Sequence, residues 1–233
     1  MPELSTSSLS YLEKDDLILT NILKFSVVSG IASLGIVLSV FVVLVPNLEF
    51  ISISMFLITL LFGIKYGLIS SFSISIVYEL IVTPIYGSAG LLFFFKFLCY
   101  LLLIIFTHLF RQYLLRCSWW ELGVFGAFFS LLYDIITTIG GQLIIIQSHI
   151  TFLYLLSVFI MGTLWTITHV STNFIIFSTS HILLRWIIQS FEYRGVRWLL
   201  LSPAFFQNLS YNATSDDNFP LIKDTRGDSD SET

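Results

Sequence analysis

Charge is what this sequence has least of. Only 11% of its 233 residues are Asp, Glu, Lys or Arg, where a soluble domain carries about a quarter. With 56% hydrophobic residues and a mean hydropathy of +0.89, this excludes an ordinary soluble domain and indicates an integral membrane protein. An excess of basic charge is missing too: the net charge is -4, and the acids sit mostly in the two tails, so no nucleic-acid partner is expected. Cysteine is reduced to Cys99 and Cys117, one inside an apolar helix and one in a short loop beside Arg116, which supports no disulfide framework. The first residues, MPELSTSSLSYLEKDDLILT, lack the basic region and short apolar core of a secretory signal peptide. The first apolar helix is expected to act as its own insertion signal. Catalytic and metal motifs are also lacking. His108, His149, His169 and His181 show no HExxH spacing, no Ser-His-Asp order stands out, and no Gly-rich phosphate loop precedes a helix. The expectation is a non-enzyme without metal or cofactor, for which any ATP would be handled by another subunit.

What the sequence does have is long apolar runs. A spanning helix needs about 20 mostly apolar residues, and six segments qualify or come close. They are roughly Ile22 to Val45, Leu48 to Gly63, Tyr66 to Thr83 (ending before Pro84), Leu91 to Leu115, Trp119 to Ile139, and one within Ile150 to Ile188. The last is too long for one straight crossing at about 1.5 Å per residue, so its start lies above the membrane, or it is strongly tilted or broken. The second and third are joined by Gly63-Ile64-Lys65-Tyr66-Gly67 and should form a tight antiparallel hairpin. Basic residues fall in alternate connections: Lys14 and Lys24, Lys65, Arg111 and Arg116, then Arg185, Arg194 and Arg197. By the positive-inside rule this gives an all-α six-helix bundle in the cell membrane with both termini cytoplasmic. Residues 1–21 form a polar N-terminal segment, 22–188 the membrane domain, and 189–233 a tail that is first interfacial and then disordered. Asn208-Leu-Ser and Asn212-Ala-Thr match the glycosylation pattern, but this topology keeps them in the cytoplasm.

Two stretches resemble each other. SFSISIVYELIVT (71–83) and GAFFSLLYDIITT (126–138) align Ser75 with Ser130, Tyr78 with Tyr133, Glu79 with Asp134 and Thr83 with Thr138. Residues four apart share a helix face, so Ser71, Ser75 and Glu79 form one stripe and Gly126, Ser130 and Asp134 another. Counting about 1.5 Å per residue from the expected entry points puts Glu79 roughly 18 Å and Asp134 roughly 21 Å above the inner boundary, with Lys96 descending to about 22 Å. His169 and Asn173 share a face of the last helix. Counted up from Arg185, His169 reaches about 24 Å and joins this layer; counted down from Phe152 it falls near the inner boundary. Ionisable residues at membrane depth are functional hypotheses by default, so Glu79, Lys96, Asp134, His169 and Asn173, with Tyr78 and Tyr133 beside the acids, are the candidate substrate-binding residues. Other readings stay open. The charges would also serve as an ion network fixing helix packing, His169 and Asn173 as interhelical hydrogen-bond partners, and the tyrosines as anchors. Glu49, Gln142, Gln147 and His149 lie on outer connections, where solvation alone accounts for most polar residues. In the first helix Ser26, Ser29, Gly30 and Ser33 make a small-residue stripe suited to close helix contact, either inside the bundle or with a partner.

The order Pro46-Asn47-Leu48-Glu49, then Leu60-Leu61-Phe62-Gly63-Ile64-Lys65-Tyr66-Gly67, the two small-residue helices ending in Glu79 and Asp134, and Trp165 to Asn173 (WTITHVSTN) together resemble the substrate-binding S components of energy-coupling factor (ECF) transporters. The resemblance covers about Ile22 to Arg185. It implies a six-helix subunit that captures a vitamin or other micronutrient from outside and works with a transmembrane coupling subunit and two ATPase subunits. The family's Ala-x-x-x-Ala docking pattern in the first helix maps only approximately, onto Ser29 and Ser33. A structural protein of envelope assembly and a stand-alone ion-coupled carrier remain as alternatives.

Overall fold

The computed structural model describes residues 6–42, 50–86, 90–146 and 151–193. Every regular element among them is a helix: α1 (Thr6–Phe41), α2 (Phe50–Phe62), α3 (Ile64–Tyr86), α4 (Leu92–Leu109), α5 (Arg111–Leu114), α6 (Trp119–Ile146) and α7 (Phe152–Tyr193). Five stretches, Asn21–Phe41, Ile64–Pro84, Leu92–Leu109, Trp119–Ile144 and Phe152–Ile188, are long and apolar enough to cross a membrane. The described residues are thus all-helical, with helices fit to pass a membrane several times. Pro46, Asn47, Leu48, Glu49, Gln147, His149, Arg194, Arg197 and the tail with Asn208 and Asn212 lie outside the described residues.

Several expected boundaries move, each for a local reason. The first helix starts earlier than Ile22: α1 begins at Thr6, while its apolar stretch begins at Asn21. α3 passes through Pro84 and ends at Tyr86. A proline inside a helix forfeits the bond to the carbonyl four residues back, here that of Leu80, but at the last turn little helix remains to be broken. α4 stops at Leu109 rather than Leu115, and the Phe110 cap and the single turn of α5 follow. α6 continues through Gly140-Gly141 to Ile146 because packing carries it. Phe95 of α4 lies directly over Gly140, and Gln142 Oε1 accepts a 2.7 Å hydrogen bond from Tyr154 of α7. α7 is one unbroken helix of 42 residues, about 63 Å long. Of the arrangements open to this segment, breakage is therefore excluded.

α2 is the core. Eleven of its 13 residues are buried, and it packs on α1, α3, α4 and α7. A helix apolar all round is stable only when surrounded, which is why FISISMFLITLLF sits in the centre. At about 20 Å it is shorter than the ~30 Å hydrocarbon core. Its two ends are tied by side chains from neighbouring helices. At the start, the Phe50 amide donates to Ser39 Oγ of α1 at 3.1 Å, and α1 approaches so closely that a Cβ on Gly35 would collide with Ser54. At the other end Gly63, at φ +89°, makes the one-residue turn into α3 that this left-handed conformation permits. Arg111 then donates from Nε to the Leu60 carbonyl at 2.7 Å and from Nη2 to the Leu61 carbonyl at 2.9 Å. The last carbonyls of a helix have no partner within it, and a cation there also meets the negative end of the helix dipole. Burial lowers the Arg111 pKa from its ordinary value.

Aromatic rings join α2 to the other long helices. Phe56 lies 5.6 Å from Phe125 of α6 and 5.1 Å from Phe177 of α7, and Phe129 of α6 lies 5.5 Å from Phe106 of α4. α6 begins with one half of a capping box, Glu121 reaching back to the residue before the helix: the Ser118 amide and hydroxyl both donate to Glu121 Oε2 at 2.6 Å, and Tyr113 donates to Glu121 Oε1 at 2.7 Å. Beside it the Cys117 thiol is buried and pushed up to about 12, mainly by desolvation.

Arg111→Ala is expected to destabilise the detergent-solubilised protein by about 2–3 kcal/mol, since two charge-assisted bonds go; Arg111→Lys should recover less than half, because an ammonium cannot hold two carbonyls in a fork. A thermal melt that does not move in Arg111→Ala would remove this role. In the folded protein maleimide is expected to leave Cys117 unmodified at neutral pH, because the thiolate is the reactive form, and to label it after denaturation in SDS.

Candidate functional site

The charged residues form two pairs, not one cluster. On α3 and α4, Lys96 Nζ donates to Glu79 Oε1 at 2.7 Å, with side chains 23% and 17% exposed. Thr83, one turn beyond Glu79, donates to Oε2 at 3.4 Å. On α6 and α7, His169 Nδ1 lies 2.7 Å from Asp134 Oδ1, with side chains 5% and 18% exposed. This contact puts His169 level with Asp134, the level given by counting up from Arg185. Neither acid is turned out of the bundle; each faces a partner of opposite or potentially opposite charge.

An aromatic bridge links the pairs. Tyr100 follows Lys96 by one turn on the same face of α4. Its ring lies 5.9 Å from Tyr133 of α6, and Tyr133 in turn lies edge-on, 5.7 Å from the His169 ring. Tyr133 and His169 are thus brought together with Tyr100, one turn of α4 from the Lys96–Glu79 pair, and Tyr100 is a member that periodicity alone did not single out. The signal for it was available: Lys96 and Tyr100 are four apart on an apolar helix. Tyr78 is half-buried and borders no cavity described here. Trp165 is 55% exposed.

The sequence explains why α6 and α7 meet so closely here. Gly123 and Gly126 leave room on α6 for Phe174 and Phe177 of α7 to rest on its backbone. Gly126–Phe177 is one level of contact and Asp134–His169 another. Midway between, four residues along each helix, stand Ser130 and Asn173. The Ser130 hydroxyl donates to the Gly126 carbonyl at 2.9 Å, and Asn173 Nδ2 donates to the His169 carbonyl at 3.2 Å. Asn173 is 1% exposed. On α3 the matching stripe of Ser71 and Ser75 is also buried.

A small cavity opens among these levels, lined by Ser52, Tyr100, Ser130, Tyr133, His169 and Phe177 among others, with a volume of about 20 Å³. That is room for about one water. Five buried side-chain atoms have no hydrogen-bond partner among the described residues: Asp134 Oδ2 on α6, Asn173 Oδ1 and Ser178 Oγ on α7, Ser75 Oγ on α3 and Thr107 Oγ1 on α4. Buried polar atoms are nearly always paired, so unpaired ones on facing helices mark a place where something else supplies the bond. Among the described residues no three His, Cys, Asp or Glu side chains gather as a metal site.

The small-residue stripe of α1 faces outward. Ser26, Ser29, Gly30 and Ser33 are exposed, and a Cβ added to Gly30 would meet no atom within 4 Å. Of its two readings, packing inside the described bundle is therefore excluded. Compared with known proteins, the chain matches no family model, no curated protein and no solved structure.

In a double-mutant cycle, Lys96→Met and Glu79→Gln are each expected to destabilise, and the double variant to lose less than their sum, with a coupling of about 1–3 kcal/mol. Thermal melts of the four proteins in one detergent read it; additive losses would mean that the 2.7 Å contact contributes no energy of its own.

Proposed function

We propose that this chain is the solute-binding subunit of an ECF-type ATP-driven importer, a six-span protein of the cell membrane with both termini cytoplasmic. It captures a small vitamin-like or other micronutrient solute from the outer face and works with a transmembrane coupling subunit and two ATPase subunits. The observation that carries the reading is the presence of two charged pairs inside an apolar bundle, Glu79–Lys96 and Asp134–His169, the second beside Tyr133 and Tyr100, with Asp134 Oδ2 and Asn173 Oδ1 left unpaired. Ionisable groups inside an apolar bundle mark solute or ion pathways. Acceptors without donors are groups a polar solute would satisfy on entering. The exposed stripe of Ser26, Ser29, Gly30 and Ser33 offers a surface on which another helix packs closely, in keeping with a docked subunit. In this reading the closed cavity is the unliganded state, and α4, α6 and α7 part to admit the solute.

A second reading, a structural membrane protein of envelope assembly, has one observation in its favour. The charges are already paired with each other, and the cavity beside them holds no more than about one water. In that reading the pairs hold the helices in register and nothing enters.

Native mass spectrometry of the purified chain against a panel of water-soluble vitamins separates the two. The transport reading expects one-to-one binding of at least one of them, weakened about tenfold or more in Glu79→Gln and in Asp134→Asn, the loss of one charge-assisted hydrogen bond. Binding that is unchanged in both variants overturns the site. Absence of binding, with no ATPase recovered on purification of the tagged chain from its own membranes, favours the structural reading.

A further inference from the structure

Basic residues gather at the end of the bundle where α2 meets the α4–α6 connection. Arg111 bonds the carbonyls of Leu60 and Leu61, so the α2–α3 turn lies against that connection. Lys65 follows Leu61 by four residues and Arg116 follows Arg111 by five, which keeps their backbones within about 14 and 18 Å of the joint. α7 runs antiparallel to α6, with Phe174 and Ser178 over Gly123 in the second turn of α6. Two turns beyond Ser178, Arg185 therefore reaches the start of α6. Lys65 and Arg116 are exposed and Arg185 is partly so. Within residues 60–69, 109–121 and 178–186 the fixed charges are Lys65, Arg111, Arg116 and Arg185 against one acid, Glu121, so this end is net positive.

The surface around these charges decides what they attract. Trp119 and Trp120 open α6 and Trp186 follows Arg185, all three exposed. From this level exposed apolar stripes run along three helices: Leu68 and Phe72 after Lys65 on α3, Val124 and Phe128 after Trp120 on α6, and Ile182 before Trp186 on α7. Spacings of three, four and seven keep each stripe on one helix face. Charge, then indole, then aliphatic surface is the order in which a bilayer presents headgroup, interface and acyl chain. An acidic protein surface would match the charge but has no use for the stripes that continue from it.

We propose that this end of the bundle binds anionic phospholipid, with the headgroup phosphate drawn to Lys65, Arg116 and Arg185 and the acyl chains lying along the stripes of α3, α6 and α7. Attraction between a basic surface and anionic lipid acts over a Debye length of about 8 Å and needs no single chelating point. Arg111 is a positioning residue here: its bonds to the two carbonyls hold the connection in place. The proposal goes beyond solute capture and does not rest on it.

For the test the full chain is delipidated in a non-ionic detergent and given equimolar phosphatidylglycerol and phosphatidylcholine with the same acyl chains. Native mass spectrometry reads the lipids retained, and thermal melts with each lipid read the stabilisation. Expected is retention of phosphatidylglycerol over phosphatidylcholine by about fivefold or more, with a Tm rise of a few °C, both shrinking as ionic strength is raised. Lys65→Gln and Arg116→Gln should each weaken phosphatidylglycerol binding about fivefold and leave phosphatidylcholine binding unchanged. Thr163→Ala, exposed on α7 beyond the Asp134–His169 level, should change neither. Should Arg116→Gln fail to fold, Lys65→Gln decides. Glycerol phosphate, which lacks acyl chains, should not displace the lipid at millimolar concentration; displacement overturns the lipid assignment in favour of a free-phosphate site. Equal retention of the two lipids, or a preference unchanged in Lys65→Gln, overturns the proposal and leaves the basic end to an acidic protein partner. Neither vitamins nor ATPases enter the experiment, so failure of the transport reading leaves this result standing.

Discussion

The packing of α6 on α7 in steps of one helical turn is the constraint on which the rest of the site depends. Gly123 and Gly126 set it. With no side chain on α6 at these positions, Phe174 and Phe177 lie on its backbone, and the two helix axes come close enough for shorter polar side chains to meet further along. Asp134 then reaches His169 at 2.7 Å, and Ser130 and Asn173 are held at the level between. Without apolar driving force between helices in lipid, such close approach and interhelical hydrogen bonding are what hold a bundle together. The same feature therefore supplies packing and polar function, and the two are inseparable on this pair of helices.

α2 imposes the complementary constraint. It is the most buried element and too short to cross unaided, so its backbone ends have to be satisfied by protein and not by water. Ser39 does this at the start and Arg111 at the end. Arg111 thus does more than add basic charge to a connection: its guanidinium ties the α4–α6 connection to the core. The bonds from Ser118 to the Glu121 carboxylate fix the start of α6 within the same connection.

Much of this was legible in the residues. The apolar runs gave the helices, the repeat of Tyr78-Glu79 as Tyr133-Asp134 gave the two acids, and four-residue spacing put His169 with Asn173. Pairing was not legible. Helical periodicity places side chains on a face but says nothing of which helices are neighbours, so the separation into Glu79–Lys96 and Asp134–His169 had to come from the fold. Boundaries failed where tertiary contacts overrode local signals, at Gly140-Gly141 under Phe95 and at Pro84 in a last turn. The Ser118-x-x-Glu121 signature was present in the sequence and would have found the α6 cap; Arg111 on α2 would not have been found, because the contact spans some 50 residues.

The lengths of the helices carry a further consequence for the site. α6 and α7 extend to about 42 Å and 63 Å, against a ~30 Å hydrocarbon core, so this pair tilts or projects beyond the lipid. α7 has little of the chain to lean on over its first half: Phe152, Leu153, Ile160, Met161 and Leu164 are all exposed, and its main contacts are with α6. A helix supported along one neighbour moves with that neighbour or pivots on it. The Gly126–Phe177 level, locked against Phe56 of α2, is the rigid end of the pair, and the Asp134–His169 level lies on the freer side of it. Opening of the small cavity is thus expected to start at the pair of ionisable groups and not at the aromatic core.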